Sequence, residues 1–130
     1  MNTQLNFPET AISTVANFYS KLDLKPQGVI RSEYIASVYD AHFDISFYQL
    51  GGVGNKLIDF QEFKTFLTDT FTKLPNLNVK AETLVSSGDK VTVKVKLYDK
   101  NAGVEINYLT LYHVENGKII SRYAYSDGGF

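Results

Sequence analysis

The sequence lacks cysteine, and this absence excludes disulfide bonds, zinc–thiolate sites and thiol catalysis. It also lacks a block of like charge, because 13 basic and 14 acidic residues are mixed along the chain and the lysines are scattered singly. Nucleic-acid binding needs clustered basic residues, so we expect no nucleic-acid partner.

Long apolar runs are missing as well. No run approaches membrane-spanning length, and the N-terminus shows no basic segment followed by an apolar core, which a signal peptide would have. We therefore expect no membrane partner and predict a cytoplasmic protein.

What is present is an ordinary globular composition. The 130 residues are 44% hydrophobic and 21% charged, and no linker, repeat or low-complexity tract interrupts them. We expect a single domain over residues 1–130. Apolar residues at helical spacing predict three helices, over residues 11–22, 32–39 and 60–74. Thr10, Ser32 and Asp59 are the expected N-caps, and Glu62 would complete a capping box with Asp59.

Alternating apolar and polar residues predict the strands. One strand precedes the third helix, and four follow it; the predicted ranges are 42–50, 77–85, 90–99, 104–114 and 118–126. Asn116-Gly117 lies between the last two strands and is typical of a type I′ turn, which needs positive φ at both central residues. Helices grouped early and strands grouped late predict an α+β domain whose helices cover one face of an antiparallel sheet.

This order of elements resembles the nuclear-transport-factor-2-like fold, and the C-terminal half resembles SnoaL-like proteins in particular. Residues 112–119 are similar to the Phe-Arg-Phe-Glu-Asp-Gly-Lys-Ile hairpin of that group, and Asp127 matches the acidic residue that closes its last strand. The resemblance implies a cystatin-like cone, with three N-terminal helices packed on a curved antiparallel sheet around an internal pocket. Ser46 and Ala124 depart from the pattern, because relatives often carry acidic residues near these positions.

Asp127 is the candidate catalytic residue. A carboxylate at the end of a curved sheet, beside aromatic side chains, would have its pKa raised by desolvation and could act as acid or base. The alternative is a turn residue, because Ser126-Asp127-Gly128-Gly129 has turn composition.

Tyrosines are the candidate substrate-binding residues. Tyr108 and Tyr112 share one face of a strand, and alignment with the resembled hairpin turns that face inward. Tyr123 and Tyr125 share a face of the last strand by the same period-two argument. Tyr19, on the apolar stripe of the first helix, stands where some relatives carry a pocket tyrosine. All of them could bind a ligand carbonyl or serve as core residues.

The strand before the third helix offers weaker candidates. His42 and Asp44 lie two residues apart, and Ser46 continues their face, so this face could line the pocket or remain in water. With two histidines in the chain and no third ligand in view, we expect no metal site. No cofactor is expected either.

The predicted strand 104–114 also has a face opposite to that of Tyr108 and Tyr112, and this face predicts a homodimer. Leu109, Leu111 and His113 would lie on the convex side of the sheet, through which the resembled family commonly dimerises. Two functions therefore stay open at the level of sequence. One is the binding of an apolar or aromatic metabolite, with cofactor-free proton transfer of the isomerase, cyclase or dehydratase type. The other is a non-catalytic dimeric binding or protein-interaction module.

Overall fold

A computed structural model describes residues 10–51 and 57–125 of the chain. It contains three helices and six strands in the described residues. In chain order these are α1 (Ala11–Leu22), α2 (Arg31–His42), β1 (Phe43–Gly51), β2 (Ile58–Asp59), α3 (Phe60–Lys73), β3 (Asn78–Ser87), β4 (Lys90–Asp99), β5 (Val104–Glu115) and β6 (Lys118–Tyr125).

The six strands form one sheet in the order β2-β1-β6-β5-β4-β3. Strands β3 to β6 form the antiparallel meander that the alternation predicts. Strand β1, however, pairs with β6 in parallel, so the sheet is mixed rather than wholly antiparallel. Strands β1 and β2 also separate α3 from the first two helices, so the predicted group of three N-terminal helices is interrupted.

The helix ends follow local capping chemistry. The Thr10 side chain accepts a hydrogen bond from the backbone of Ser13 and starts α1. Asp59 and Glu62 form the predicted capping box at the start of α3, each side chain accepting from the backbone of the other residue. Ser32 is not a cap: α2 begins one residue earlier, after Ile30, with no side-chain cap.

The hairpin between β5 and β6 has the predicted turn. Asn116 has φ 53° and Gly117 has φ 75°, and Asn116 is the one described residue other than glycine with positive φ. This turn matches the right-handed twist of the two strands that it joins. It brings the inward tyrosines of β5 opposite the last strand.

One face of the sheet carries the core, and α1 lies against β3, β4 and β5 on that side. The side chains that alternate inward on β4 and β5 are buried: Val91, Val93, Val95, Leu97, Tyr108, Thr110, Tyr112 and Val114. Burial of these residues removes apolar surface from water, and this removal drives folding. The predicted inward face of β5 is therefore confirmed.

Two β-bulges reverse the alternation in the strands that contain them. On β6, Val114 pairs with Ile119 and His113 pairs with Ser121, so Ile120 is an extra residue. On β3, the pairing skips Glu82. A one-residue shift moves every later side chain to the other face. As a result Val85, which uninterrupted alternation would place on the face of Leu77 and Val79, is 61% exposed, and Leu84 packs against the core instead.

None of the helices that the structure describes is long and apolar enough to cross a membrane.

Candidate functional site

The bulge at Ile120 turns the side chain of Arg122 into the interior, where it is only 4% exposed. There its Nη1 donates a hydrogen bond to the side-chain oxygen of Gln49, the neighbouring residue on β1. The guanidinium carbon lies over the rings of Phe63 and Tyr108, at 5.2 Å and 5.3 Å from the ring centroids. The guanidinium carbon also lies 6.0 Å from the ring centroid of Tyr112, which is the cross-strand partner of Arg122 on β5. We call Arg122, Gln49, Tyr108, Tyr112 and Tyr19 the Arg122 cluster.

Two phenols of this cluster share a short hydrogen bond. The hydroxyl oxygens of Tyr19 on α1 and Tyr112 on β5 are 2.5 Å apart, and both residues are buried. One phenol donates to the other, and Tyr19 also hydrogen-bonds Tyr108, so the three phenols form a chain that holds one proton more than its two bonds use. The bond joins a helix to the centre of the sheet inside the core.

Burial sets the charge of these groups. It raises the pKa of Tyr19, of Tyr39 and of Tyr108 above the ordinary value of a phenol, and Arg122 lowers them only in part. Burial also disfavours the charged form of Arg122, but interaction with the surrounding tyrosines, Tyr112 and Tyr108 first, outweighs it and raises its pKa. At neutral pH Tyr19, Tyr39 and Tyr108 are therefore neutral, and Arg122 is charged.

The structure brings three of the predicted substrate-binding residues together. Tyr19, Tyr108 and Tyr112 all belong to the Arg122 cluster, with their rings on the inner side of the sheet. Their geometry fits donors aimed at a ligand oxygen, and it also fits a polar core.

Tyr123 needs a correction. Beyond the bulge, its cross-strand partners are Leu50 and Leu111, which places it on the outer face of the sheet and not with Tyr108 and Tyr112. Tyr125 pairs with Leu109 in the same register, and its side chain lies outside the described residues. Arg122 therefore faces inward at the point where regular alternation predicts Tyr123.

Asp44 and Ser46 also lie apart from the Arg122 cluster. Strand β1 is irregular between Phe43 and Tyr48, and here Ser46 donates to Asp44 through its backbone nitrogen (2.9 Å) and its hydroxyl (2.7 Å). These bonds lower the pKa of the Asp44 carboxyl. His42 belongs to α2 rather than to the strand, and its Nδ1 lies 2.8 Å from the backbone oxygen of Val38. The segment of Asp44 and Ser46 belongs to β1, and Ser46 is exposed there.

The predicted acid or base, Asp127, lies outside the described residues. Its position relative to the Arg122 cluster therefore remains a prediction.

Sequence reasoning missed Arg122 and Gln49. Both occupy positions that become interior only through the irregularities of β1 and β6. One signal was available, because Ile119-Ile120 places two apolar residues side by side in a strand that otherwise alternates. Adjacent apolar residues of this kind are consistent with a bulge.

A cluster of ionisable side chains, Asp89, His113 and Glu115, lies on the other side of the sheet. The Nε2 of His113 is 2.8 Å from the Oδ2 of Asp89 and 3.5 Å from the Oε2 of Glu115. Hydrogen bonds from Lys90 and from His113 lower the pKa of Asp89. The sequence did not show that Asp89 and Glu115 lie beside His113, and these contacts suit a link between the β3–β4 and β5–β6 hairpins.

The outer face carries a row of cross-strand neighbours that is largely apolar. It runs from strand to strand through Leu50, Tyr123, Leu111, Thr92 and Val85, and we call it the outer row. Leu109 lies two residues from Leu111 on β5, faces the same way and is 42% exposed. A depression of about 180 Å³ beside the row is lined by Tyr48, Leu50, Leu111, His113 and Tyr123 among others. The predicted outward position of Leu109 and Leu111 is thus confirmed.

Residues 41–128 match the family model of the SnoaL-like polyketide cyclases. No curated protein sequence matches the chain.

Solved structures share the fold along most of the chain. A SnoaL-like protein of Jannaschia sp. CCS1 has a TM-score of 0.71 and 18% identity, over 94% of this chain and 88% of its own. An LEH-like epoxide hydrolase of M. tuberculosis has a TM-score of 0.65 and 20% identity, over 94% and 83%. A cystatin fold protein of Novosphingobium aromaticivorans has a TM-score of 0.66 and 9% identity, over 90% and 98%. At these identities the likeness shows the α+β fold.

Proposed function

The chain belongs to the SnoaL-like polyketide cyclase family, and on that premise we propose that its interior binds a small apolar or aromatic molecule at the Arg122 cluster. The observation that carries the proposal is the burial of a charged guanidinium beside three phenols in one part of the core. Removing a charge from water costs several kcal/mol, and apolar residues would fill the same volume without that cost. A ligand that pairs with these groups would offset the cost of burying them.

The chemistry of the cluster suits a carbonyl ligand. The chain of Tyr112, Tyr19 and Tyr108 holds one proton more than its two bonds use, and this proton can be donated to a carbonyl oxygen. The nearby guanidinium stabilises negative charge that develops on that oxygen. Groups of this kind lower the cost of removing a proton from the carbon next to the carbonyl. Isomerisation, cyclisation and dehydration all require this step.

Proton transfer also needs a base, and we propose Asp127 for that role. Its support is the resemblance of residues 112–127 to SnoaL-like proteins and the absence of any described carboxylate from the Arg122 cluster. The names of the family and of one structural relative, a cyclase and an epoxide hydrolase, are consistent with chemistry at small oxygenated molecules.

Binding can be tested with neutral aromatic ketones. Saturation-transfer NMR with acetophenone and 1-phenyl-1,3-butanedione should show binding to the wild-type protein. Tyr112→Phe removes one donor, so it should weaken binding about 10-fold, equivalent to roughly 1.4 kcal/mol. Tyr98→Phe is the matched control, because Tyr98 pairs with Glu105 on the sheet outside the cluster and should leave binding unchanged. Equal effects of both substitutions would contradict a site at Tyr112.

Catalysis can be tested without knowing the product. Exchange of the acidic C–H of these ketones in deuterium oxide, followed by NMR, should be faster with the wild-type protein than without it. Asp127→Asn should abolish the acceleration and leave the thermal midpoint nearly unchanged. Acceleration that survives in this variant would show that Asp127 is not the base.

We also propose that two copies of the chain associate through the outer row. The exposed Leu50, Val85 and Leu109 lie in or beside the row on strands of one sheet, and apolar area of this extent is costly to leave in water. Sedimentation at micromolar concentration should show a dimer for the wild-type protein and a monomer for Leu109→Lys. A wild-type monomer would contradict this second proposal and would leave the first one standing.

A further inference from the structure

The charge of Arg122 has no acidic partner among the described residues. The ion pairs there involve Lys25, Lys64, Lys90, Lys96 and His113, and Arg122 takes part in none of them. Its hydrogen-bond acceptors in this part of the chain are neutral side chains, Gln49 and the phenol of Tyr108. Among the described residues, no acidic group therefore compensates the positive charge of the Arg122 cluster.

Arg31 provides a contrast within the same protein. It is only half-buried, and its Nη2 donates to the backbone oxygens of Leu22 (3.2 Å) and Leu77 (3.1 Å), tying α1 to the start of β3. Asp23 lies close enough to favour the charged form of Arg31. Nε and Nη1 of Arg31 are also buried without a hydrogen-bond partner among the described residues. The two arginines differ in that Arg31 donates to backbone carbonyls and lies near Asp23, whereas Arg122 bonds no backbone carbonyl of the described strands and helices.

The surroundings of Arg122 define where a ligand can approach it. Phe63 and Tyr108 lie against the guanidinium, and Nη1 donates to Gln49, but Nε is buried without a hydrogen-bond partner among the described residues. A buried N–H of this kind costs free energy until an acceptor reaches it. The guanidinium N–H groups lie in one plane and match the two oxygens of a carboxylate, so a ligand carboxylate would use the side of Nε.

We propose that the ligand of the Arg122 cluster carries a carboxylate, which binds the Nε edge of Arg122. This inference rests on the proposed function and adds the chemical class of the ligand. A ligand carboxylate would give the guanidinium the negative partner that no described residue supplies. A phosphate carries more negative charge and needs further cations or backbone donors. The chain of Tyr112, Tyr19 and Tyr108 holds one proton more than its two bonds use and can offer the ligand one more hydrogen bond.

The test compares acids with their amides. Benzoate, 3-phenylpropionate and hexanoate are each titrated against the corresponding primary amide at constant ionic strength, and the thermal midpoint is measured. At least one acid should raise the midpoint in a saturable way, because a ligand that binds only the folded state stabilises it, and its amide should not. Arg122→Met should remove the effect, whereas Arg31→Met should keep it.

Each other outcome has a clear meaning. Amides as effective as acids, an acid effect that persists in Arg122→Met, or no effect of any acid would overturn the carboxylate inference. The proposed function would survive these results if the neutral ketones bind, and it would fail on its own if they do not.

A second measurement needs no ligand. An uncompensated buried charge destabilises the folded protein, so the thermal midpoint of ligand-free Arg122→Met should equal or exceed that of the wild type. Arg31→Met, which loses two backbone hydrogen bonds, should have a lower midpoint. A loss in Arg122→Met as large as in Arg31→Met would mean that the protein itself supplies the counter-ion, and would overturn the inference.

Discussion

The hydrogen bond between Tyr19 and Tyr112 allows a quantitative prediction. At 2.5 Å between two buried oxygens, removal of either hydroxyl leaves the other in the core without this partner. The cost of such an orphaned group is about 1–3 kcal/mol. We therefore expect Tyr19→Phe and Tyr112→Phe each to lower the free energy of unfolding by about 1.5 kcal/mol, or the thermal midpoint by about 5 °C.

The double variant distinguishes the bond from the rings. Replacement of both phenols removes both polar groups, and such paired replacement is nearly neutral. Tyr19→Phe/Tyr112→Phe should thus lose only about 1 kcal/mol, which gives a coupling energy of about 2 kcal/mol. Urea unfolding followed by far-UV circular dichroism measures all the variants, because the chain has no tryptophan for fluorescence.

Tyr98→Phe serves again as the control and should change stability by less than about 0.5 kcal/mol. Losses in the two single variants that simply add up in the double variant would refute the reasoning, since they would show that the two hydroxyls do not depend on each other.

The remaining predictions concern the bulge, a helix cap and the acid limb of the stability curve. Deletion of Ile120 removes the extra residue and lets Ser121 follow Ile119 in register, so Arg122 should stay inward, Tyr123 should stay outward and the ligand effects above should persist; loss of the saturable titrations would contradict the assigned bulge. Asp59→Ala removes the capping box of α3 and should cost about 1 kcal/mol in urea unfolding, against almost nothing for the exposed Asp69→Ala on the same helix. The lowered pKa of Asp89 contributes stability that is present above about pH 4, the ordinary carboxyl range, and is lost as the pH falls through the folded-state pKa. The urea midpoint of Asp89→Asn should accordingly fall less steeply below that pH than the wild-type midpoint, and parallel curves would refute the link.

Local chemistry explains which parts of this fold could be predicted from the sequence. Thr10, Asp59 and Asn116-Gly117 act through bonds and dihedral angles within a few residues, so they end helices and turn the chain wherever they occur. The inward face of β5 follows from an alternation that no bulge interrupts. These features led correctly to an α+β fold with Tyr108 and Tyr112 inside.

The rest depends on pairing between strands that are distant in sequence. Whether Ile120 and Glu82 are paired or skipped is decided by the neighbouring strands, and each skipped residue reverses the faces beyond it. For this reason Tyr123 was placed on the wrong face and Arg122 was not considered. A buried arginine also runs against the general rule that charged residues stay exposed.

The central claim, that a small molecule binds at Arg122 inside the sheet, can be tested most directly by NMR. In protein labelled with ¹⁵N, 3-phenylpropionate should shift the Nε–H resonance of Arg122 together with the backbone amides of Tyr112 and Phe63, and the amides of the outer row should stay in place. Shifts confined to Leu111, Tyr123 and Leu50, with the Arg122 Nε–H unchanged, would contradict the claim.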